Sequence, residues 1–410
     1  MNFDLPGEDD PRRLEVRKWL EANPNPSYRD LYEQGYTAPH WPRPWGIEAD
    51  PELQYIIDDE IERTGMMLPS FMFTTSIAMV AKLLLTYGTE WQREHFLPGA
   101  LSGEHFWAML ASEPSGGSDL AALRTVATRD GDDYLLKGMK IWNGGADAAQ
   151  IGVVLARTDV NAPKHAGISL FLVPMDTPGI TVTPIKDMMG ENIFEPRMSD
   201  FNEVVFDNAR IPASHRVGEE GQGWMLGTLI LHNERAHLAR PSVAFGLGPT
   251  ARELLAGLDE IGALEDPVMA DRLANLFVEG EVLRVLALQV LSEQINRKPP
   301  GQAANLQKML YAAHGQEITK LAKEAQGPSG LVANVQPFPS QVVKEEVRRN
   351  WFRRVEDWDY ACWYSLGATI GGGSQQIVRN TVAERMLGLP RDVDPTARRP
   401  FNEVLREARS

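Results

Sequence analysis

The stretch from Phe106 to Asn143, FWAMLASEPSGGSDLAALRTVATRDGDDYLLKGMKIWN, constrains this chain more than any other. An apolar run, Met109-Leu110-Ala111, delivers a hydroxyl at Ser112, and Glu113-Pro114 then stops regular pairing. Gly116-Gly117-Ser118-Asp119 opens a turn where bare backbone can approach a bulky ligand. A cradle for a phosphate or a ring edge is built this way. Alternation follows through Val126 and Thr128, a Gly131-Asp132 hairpin signal, Tyr134 and Leu136, and then Gly138 to Trp142. Two strands thus present a hydroxyl-glycine turn and an aromatic wall. On pattern alone, the edge of an all-β domain with decorated turns fits as well, because Gly-Ser-Asp turns are common.

The periodicity changes on either side of this stretch. Before it, Leu14, Val16, Trp19 and Leu20 read as helix up to the Asn-Pro breaks at 23–26, and a Pro/Trp-rich loop, APHWPRPWG, follows. Asp50-Pro51 reads as an N-cap and first-turn proline opening a helix to about Thr64, a second helix covers Thr75 to Tyr87, and Thr89-Glu90 starts a third. From His105 to about Val217 the period is two, with strands expected at 106–112, 121–129, 133–141, 150–157, 168–174, 180–184 and 202–206. From Gly223 on the pattern is helical again. Asp266-Pro267 opens a helix with Leu273, Leu276, Phe277, Val282, Leu283 and Leu286 at core spacing, and further helices are expected at about 303–326, 338–367 and 375–386. Residues 329–341 read as a long loop. The boundaries are therefore 1–104, helical; 105–217, a β-barrel or sandwich; and 218–410, a helical bundle.

At 410 residues, two or three subdomains are expected rather than one core. A formal net charge of −15 with no basic stripe argues against a nucleic-acid or anionic-membrane partner. The single cysteine, Cys362, rules out an intramolecular disulfide, and the acidic start MNFDLPGEDD lacks the apolar run of a signal peptide, so a cytoplasmic location is expected. No apolar run approaches the ~20 residues of a membrane span.

The stretch at 106–143 resembles the flavin-binding signature of the acyl-CoA dehydrogenase family, Ser-Glu-Pro-x-x-Gly-Ser-Asp followed by Gly-x-Lys-x-Trp. YGTEWQREHFLPGALSGE before it and FNEVVFDNARIPASHRVGEEGQG after it resemble the family's entry to and exit from its β domain. The joint pattern is specific, although each piece alone is weak. It implies an α+β fold of N-terminal helices, a central β domain and a C-terminal four-helix bundle. It also implies FAD as cofactor, an acyl-CoA thioester as substrate and an electron-transfer flavoprotein as acceptor.

The implied chemistry removes a proton from the α-carbon and a hydride from the β-carbon, and the flavin accepts the hydride. The protein must supply a base, best a carboxylate in a dry pocket, and hydrogen bonds to the thioester carbonyl. In many family members the base is the Glu of a Tyr-Glu-Gly-Thr segment. The equivalent segment here is Ile370-Gly371-Gly372-Gly373-Ser374-Gln375-Gln376, with Gly372 in the carboxylate slot and Gly371 in the aromatic one. A second family solution places Glu before an arginine on the first helix of the bundle, and His232-Asn233-Glu234-Arg235 stands there. Glu234 is thus the candidate base, where a helical Glu otherwise reads as a solvated partner of a nearby cation. By resemblance Arg235 orders that segment and meets the acyl-CoA, against the plainer reading of an interhelical ion pair.

The resemblance places Met109, Leu110, Ala111 and Ser112 along the flavin ring and Gly117 and Ser118 near the pyrophosphate, with Ser118 also on the pantetheine. Trp142 covers the ring, Gly144 replaces the family's hydroxyl residue, Ser374 and Gln376 meet the cofactor's tail, and Gly373 lies at the substrate. Two departures stand out. IGALEDPVMADR at 261–272 lacks the Arg-x-x-Phe that grips a neighbour's adenosine in homotetramers, and Gln-x-x-Gly-Gly-x-Gly is reduced to Gln326-Gly327-Pro328-Ser329-Gly330. Together with the GGGS segment and Asn-Glu-Arg, they resemble the heteromeric acyl-CoA dehydrogenases of bacterial steroid side-chain degradation, in which one subunit type carries the base and the other completes the cofactor site. The alternatives are a homo-oligomer with an adenosine pocket rebuilt from residues such as Arg348, Arg349, Arg353 and Arg354, an acyl-CoA oxidase, and a subunit that keeps the fold without the chemistry.

Overall fold

A computed structural model describes residues 6–64, 75–186, 199, 201–238, 250–295, 303–332, 338–339 and 358–407. The chain packs into two compact units. One comprises Met1–Ser27, Glu33–Ser70 and Arg235–Leu389, and the other Tyr28–Tyr32, Phe71–Glu234 and Pro390–Ser410.

The second unit is built on one mixed sheet. Its strands are β1 Trp107–Leu110, β2 Val126–Asp130, β3 Asp133–Lys140, β4 Ile151–Arg157, β5 Ile168–Pro174, β6 Ile180–Pro184, β7 Asn202–Pro212 and β8 Arg216–Val217. The order is β6-β7-β3-β2-β4-β5-β8, with β1 also against β4. One apolar cluster that includes Leu110, Tyr134, Leu136, Val154, Phe171, Phe206 and Ile211 forms its core. Strand β4 is buried along its whole length, as a strand covered on both faces must be.

β1 and β2 share one edge of β4. β1 pairs in parallel along Ile151–Val154, whereas β2 touches only at Val126 and Arg157. The cofactor-like motif fills the interval between them. This explains why the strand expected from 121 starts five residues late: Leu120–Ala122 is a 3-10 turn and β2 begins at Val126. The ladder is unavailable there because the Glu113 carboxylate accepts from the Arg124 and Thr125 N–H groups, while the Arg157 guanidinium donates to the Ala121 and Leu123 carbonyls. β7 in contrast runs past its expected end at 206, because a register shift at Leu136/Lys137 absorbs the Asp207-Asn208 turn signal, with Asn208 at φ 55°.

The helices start where the sequence caps them. Asp50 accepts from Leu53 N at 2.8 Å before Pro51–Arg63, and Thr89 and Gln92 form a reciprocal capping box before Glu90–Leu101. Thr75–Tyr87 is helical as expected but opens as a π-turn over Thr75–Ala81. In the first unit the helix Ala303–Ala325 packs against Ala251–Glu260, Pro267–Ile295, Trp358–Ala368 and Gln375–Arg385. Leu254, Leu258, Leu273, Leu276, Ile318, Leu321 and Trp358 form its core. Of the helix expected at 338–367, Trp358 onward is seen, and residues 340–357, including Arg348, Arg349, Arg353 and Arg354, lie outside the described residues.

Candidate cofactor and active site

Buried charge shapes the motif. Glu113 and Lys140 are both out of solvent, with Lys140 at 0% exposure, and Lys140 Nζ donates to Glu113 Oε1 at 2.8 Å and to the Ala111 carbonyl at 3.1 Å. Burial alone would raise the Glu113 carboxyl. The charge and hydrogen bond of Lys140 outweigh it, with the Arg124 N–H and Thr125 adding to them, and hold the carboxyl below the usual glutamate range. Burial pulls Lys140 down to about 8, so at neutral pH the two remain an ion pair. Glu113 and Gly116 also exchange backbone hydrogen bonds at 3.0 Å, which closes the turn.

The far side is pinned to the same segment. Ile141 N donates to the Ser112 carbonyl at 3.0 Å, Asn143 Nδ2 to the Met109 carbonyl at 3.0 Å, and Asn202 Nδ2 to the Asn143 carbonyl at 3.0 Å. Trp142 stands between the two pinned residues at φ 64°, a conformation that bulky side chains rarely take. Its indole is 58% exposed and meets Phe201 edge-on at 5.8 Å. Flanking hydrogen bonds thus hold Trp142 in a strained backbone and present its ring outward. Strain of this kind collects at functional sites.

Met109, Ala111, Ser112 and Gly144 are half-buried beside it, and Gly117 and Ser118 lie on the exposed turn. A Cβ on Gly117 would meet nothing within 4 Å. Leu110 differs, because its side chain is in the sheet core and only its backbone faces this edge. Among the described residues, the buried carboxamide oxygens of Asn143 and Asn202 have no hydrogen-bond partner. An exposed flat indole, an open glycine turn and unanswered acceptors suit a flat heterocycle that carries N–H groups and a phosphate tail. The residues present fit a flavin dinucleotide.

In the other unit, Ser374 caps the helix Gln375–Arg385 by accepting from Ile377 N at 3.4 Å, and Gln376 is exposed. Gly372 and Gly373 take φ of 66° and 93°, so a side chain in the family's carboxylate slot would be strained on this backbone. Arg272 closes the stretch in which the adenosine grip was sought and pairs with Glu324 and, at 3.9 Å, with Glu317. Gly327 lies at φ 58° at the start of a 3-10 turn over Gly327–Leu331.

Glu234 and Arg235 lie in the helix Gly223–Leu238, and their side chains are outside the described residues. That helix is seated by close approach. A Cβ on Gly223 would lie 2.5 Å from the Ser169 backbone, and one on Gly227 would lie 3.0 Å from Leu155. Asn233 Nδ2 donates to the Met79 carbonyl at 3.3 Å.

Sequence reasoning missed Glu113 and Lys140 as a pair. The signal was present, since Lys140 shares the parity of Tyr134 and Leu136 on β3, and a lysine on the core face of a strand requires a buried partner.

Profiles described as acyl-CoA dehydrogenase N-terminal, middle and C-terminal domains match residues 9–104, 108–209 and 221–387. IpdE1, an acyl-CoA dehydrogenase of Mycolicibacterium smegmatis, is 33% identical over 330 residues, covering 77% of this chain and 75% of that protein. The chain belongs to the acyl-CoA dehydrogenase family. The acyl-CoA dehydrogenase FadE34 of Mycobacterium tuberculosis is 35% identical over 88% of this chain, which spans 46% of that longer protein. The solved structure of the Tcur3481-Tcur3483 steroid ACAD superposes with a TM-score of 0.74 at 28% identity, over 96% of this chain and all of that one. As an acyl-CoA dehydrogenase, the chain is an FAD-dependent oxidoreductase of the α+β fold expected. Among the described residues no helix is long and apolar enough to cross a membrane.

Proposed function

We propose that this acyl-CoA dehydrogenase desaturates the Cα–Cβ bond of a bulky or branched acyl-CoA, such as one carrying a steroid side chain, with Glu234 as the base. The observation that carries this reading is the left-handed backbone at Gly372 and Gly373. The slot that holds the base in many relatives is a glycine whose φ disfavours any replacement, so the carboxylate on the helix Gly223–Leu238 is left to take the α-proton. When bound, FAD supplies the hydride acceptor. The chain's own part is to present Ser112 and the Trp142 ring, to hold the Gly116–Ser118 turn open to a phosphate, and to accept the α-proton at a Glu234 carboxylate oxygen.

Glycine at 371 and 372 also removes two side chains from the acyl side, which suits a wide ring system better than a slim chain. The likeness to the Tcur3481-Tcur3483 steroid ACAD supports the same substrate class. Arg272 is engaged by Glu324, and the 261–272 stretch has no Phe for stacking, so the adenosine end requires help. A second, related subunit is the reading that supplies it: a heterotetramer with fewer than one FAD per protomer, cytoplasmic and reoxidised by an electron-transfer flavoprotein.

The deciding measurement is flavin bleaching by CoA thioesters. Glu234→Gln should keep its flavin and ligand binding while reduction slows by about 10²–10⁴, and Glu234→Asp should be partly active. A Gln variant that reduces its flavin at near wild-type rate removes Glu234 from the mechanism. Size and flavin stoichiometry of the singly expressed chain test the assembly, and a homo-oligomer with one tightly bound FAD per chain would overturn the heteromer alone.

A further inference from the structure

The last matched family residue is 387, yet the chain continues and folds back onto the sheet unit from Pro390. Phe401 N donates to the Ala162 carbonyl and Asn402 N to the Val160 carbonyl, both at 3.0 Å. Asn402 Nδ2 meets Asn161 Oδ1 at 2.8 Å, and Pro400 bridges to Pro163. The segment ends in a short helix, Phe401–Glu407.

Two cations connect this segment to the cofactor turn. Arg157 is buried, and its guanidinium lies 3.6 Å from the centroid of the Phe401 ring. The same guanidinium donates to the carbonyls of Ala121 at 2.7 Å, Leu123 at 3.2 Å and Lys164 at 3.1 Å. Lys164 Nζ lies 3.1 Å from the Asp394 carboxylate and 3.3 Å from that of Asp119, the last residue of the Gly-Gly-Ser-Asp turn. The segment therefore reaches residues 119–123 by two routes, through Arg157 to the Ala121 and Leu123 carbonyls and through Lys164 to the Asp119 side chain.

We propose that the C-terminal segment Pro390–Glu407 is a clamp that fixes the flavin-binding turn, with Phe401 and Arg157 as its positioning residues. The role in cofactor binding rests on the flavin reading of that turn given above. Of the two routes, the aromatic one dominates. Asp394 and Asp119 are well exposed, and ion pairs of that kind are weak and screened. Glu113 and Asp159 support the Arg157 charge only through space, with no carboxylate within ion-pair distance among the described residues, so its direct contacts are the ring and backbone carbonyls, and a desolvated cation–ring contact is the stronger kind. Without Phe401, water reaches the guanidinium and competes with it for Ala121 and Leu123.

The test is made on the full chain, together with its partner where one is required for folding. Amide exchange at 119–125 is measured in apo-protein, and FAD affinity by titration of the same samples. Phe401→Ala should speed exchange in that segment and weaken FAD binding, each by about tenfold or more. Phe401→Trp should restore both, Asp394→Asn should change little, and a chain ending at Leu389 should behave like Phe401→Ala. Unchanged exchange in Phe401→Ala overturns the clamp whatever the flavin does. Faster exchange with unchanged FAD affinity keeps the mechanical link but overturns the assignment of this turn to the cofactor.

Discussion

The two stretches that carry the family signature are built in opposite ways. Residues 109–143 are held by side-chain hydrogen bonds, most of them within the stretch: Lys140 on the Ala111 carbonyl and Glu113, Asn143 on the Met109 carbonyl, and Asn202 of β7 on the Asn143 carbonyl. Among the described residues, 370–373 are held by backbone hydrogen bonds, the Ile370 and Gly371 N–H groups to the Gly367 carbonyl, with two left-handed glycines before the Ser374 cap. The first is a cross-bonded platform that would hold the cofactor in the function proposed here, and the second keeps a backbone path with glycines in place of side chains. A signature can lose its reacting group and keep its geometry only where the geometry never depended on that group. The base can therefore move to another helix without disturbing the fold, whereas the cofactor platform cannot be thinned in the same way.

Removing one partner of the buried pair should have the largest effect on the platform. Lys140→Met leaves the Glu113 carboxylate buried and uncompensated, which costs about 3–5 kcal/mol of unfolding free energy. Glu113→Gln in the same chain should recover part of the loss, because the buried charge is removed and the amide oxygen still accepts from one of the two N–H groups of Arg124 and Thr125, while the other loses its acceptor. Chemical denaturation followed by middle-domain fluorescence decides it, and a loss under 1 kcal/mol for the single variant would mean the pair does not hold the platform. The acid limb sharpens the result. The folded carboxyl is depressed, so its contribution is full above the unfolded glutamate pKa and is lost as pH falls through the lower folded value. In Lys140→Met the cation that depresses the carboxyl is gone, so this acid loss should disappear and the stability gap to the wild type should narrow as pH falls.

The glycine segment should respond more mildly. Gly372→Ala adds a side chain at φ 66° and should cost about 1 kcal/mol in stability. Gly372→Glu, which restores the family's carboxylate in name, should cost at least as much and should not rescue flavin reduction in a Glu234→Gln background. Rescue would show that the segment can still host a base, and the contrast between the two stretches would fail.

Much of this was legible from the sequence because local signals agreed with the fold. Asp50 and Thr89 cap helices in the ways their side chains allow, and the strands expected at 150–157 and 168–174 match β4 and β5 nearly to the residue. What could not be read was long-range. Residues 121–125 look like strand in isolation, and only Glu113 and Arg157, distant in sequence, take their backbone groups away from the ladder. The two-residue β8 is too short to have a period, and the tie between Phe401 and Arg157 joins residues that no local pattern connects.

Trp142 gives the smallest expected stability change and the cleanest separation of the two roles. Its ring is more than half exposed, so Trp142→Ala removes little buried area, and relief of the left-handed strain is slight because alanine also resists φ 64°. Thermal unfolding of the apo-protein should therefore shift by no more than the roughly 0.5 kcal/mol typical of surface changes. Flavin retention is a different matter, since an exposed indole on a pinned backbone becomes a contact only when something flat lies against it. The variant should bind FAD more weakly and show an altered visible circular dichroism while its unfolding curve overlays the wild type. A large loss of apo-protein stability would make Trp142 part of the framework, and unchanged flavin content would remove it from the cofactor site.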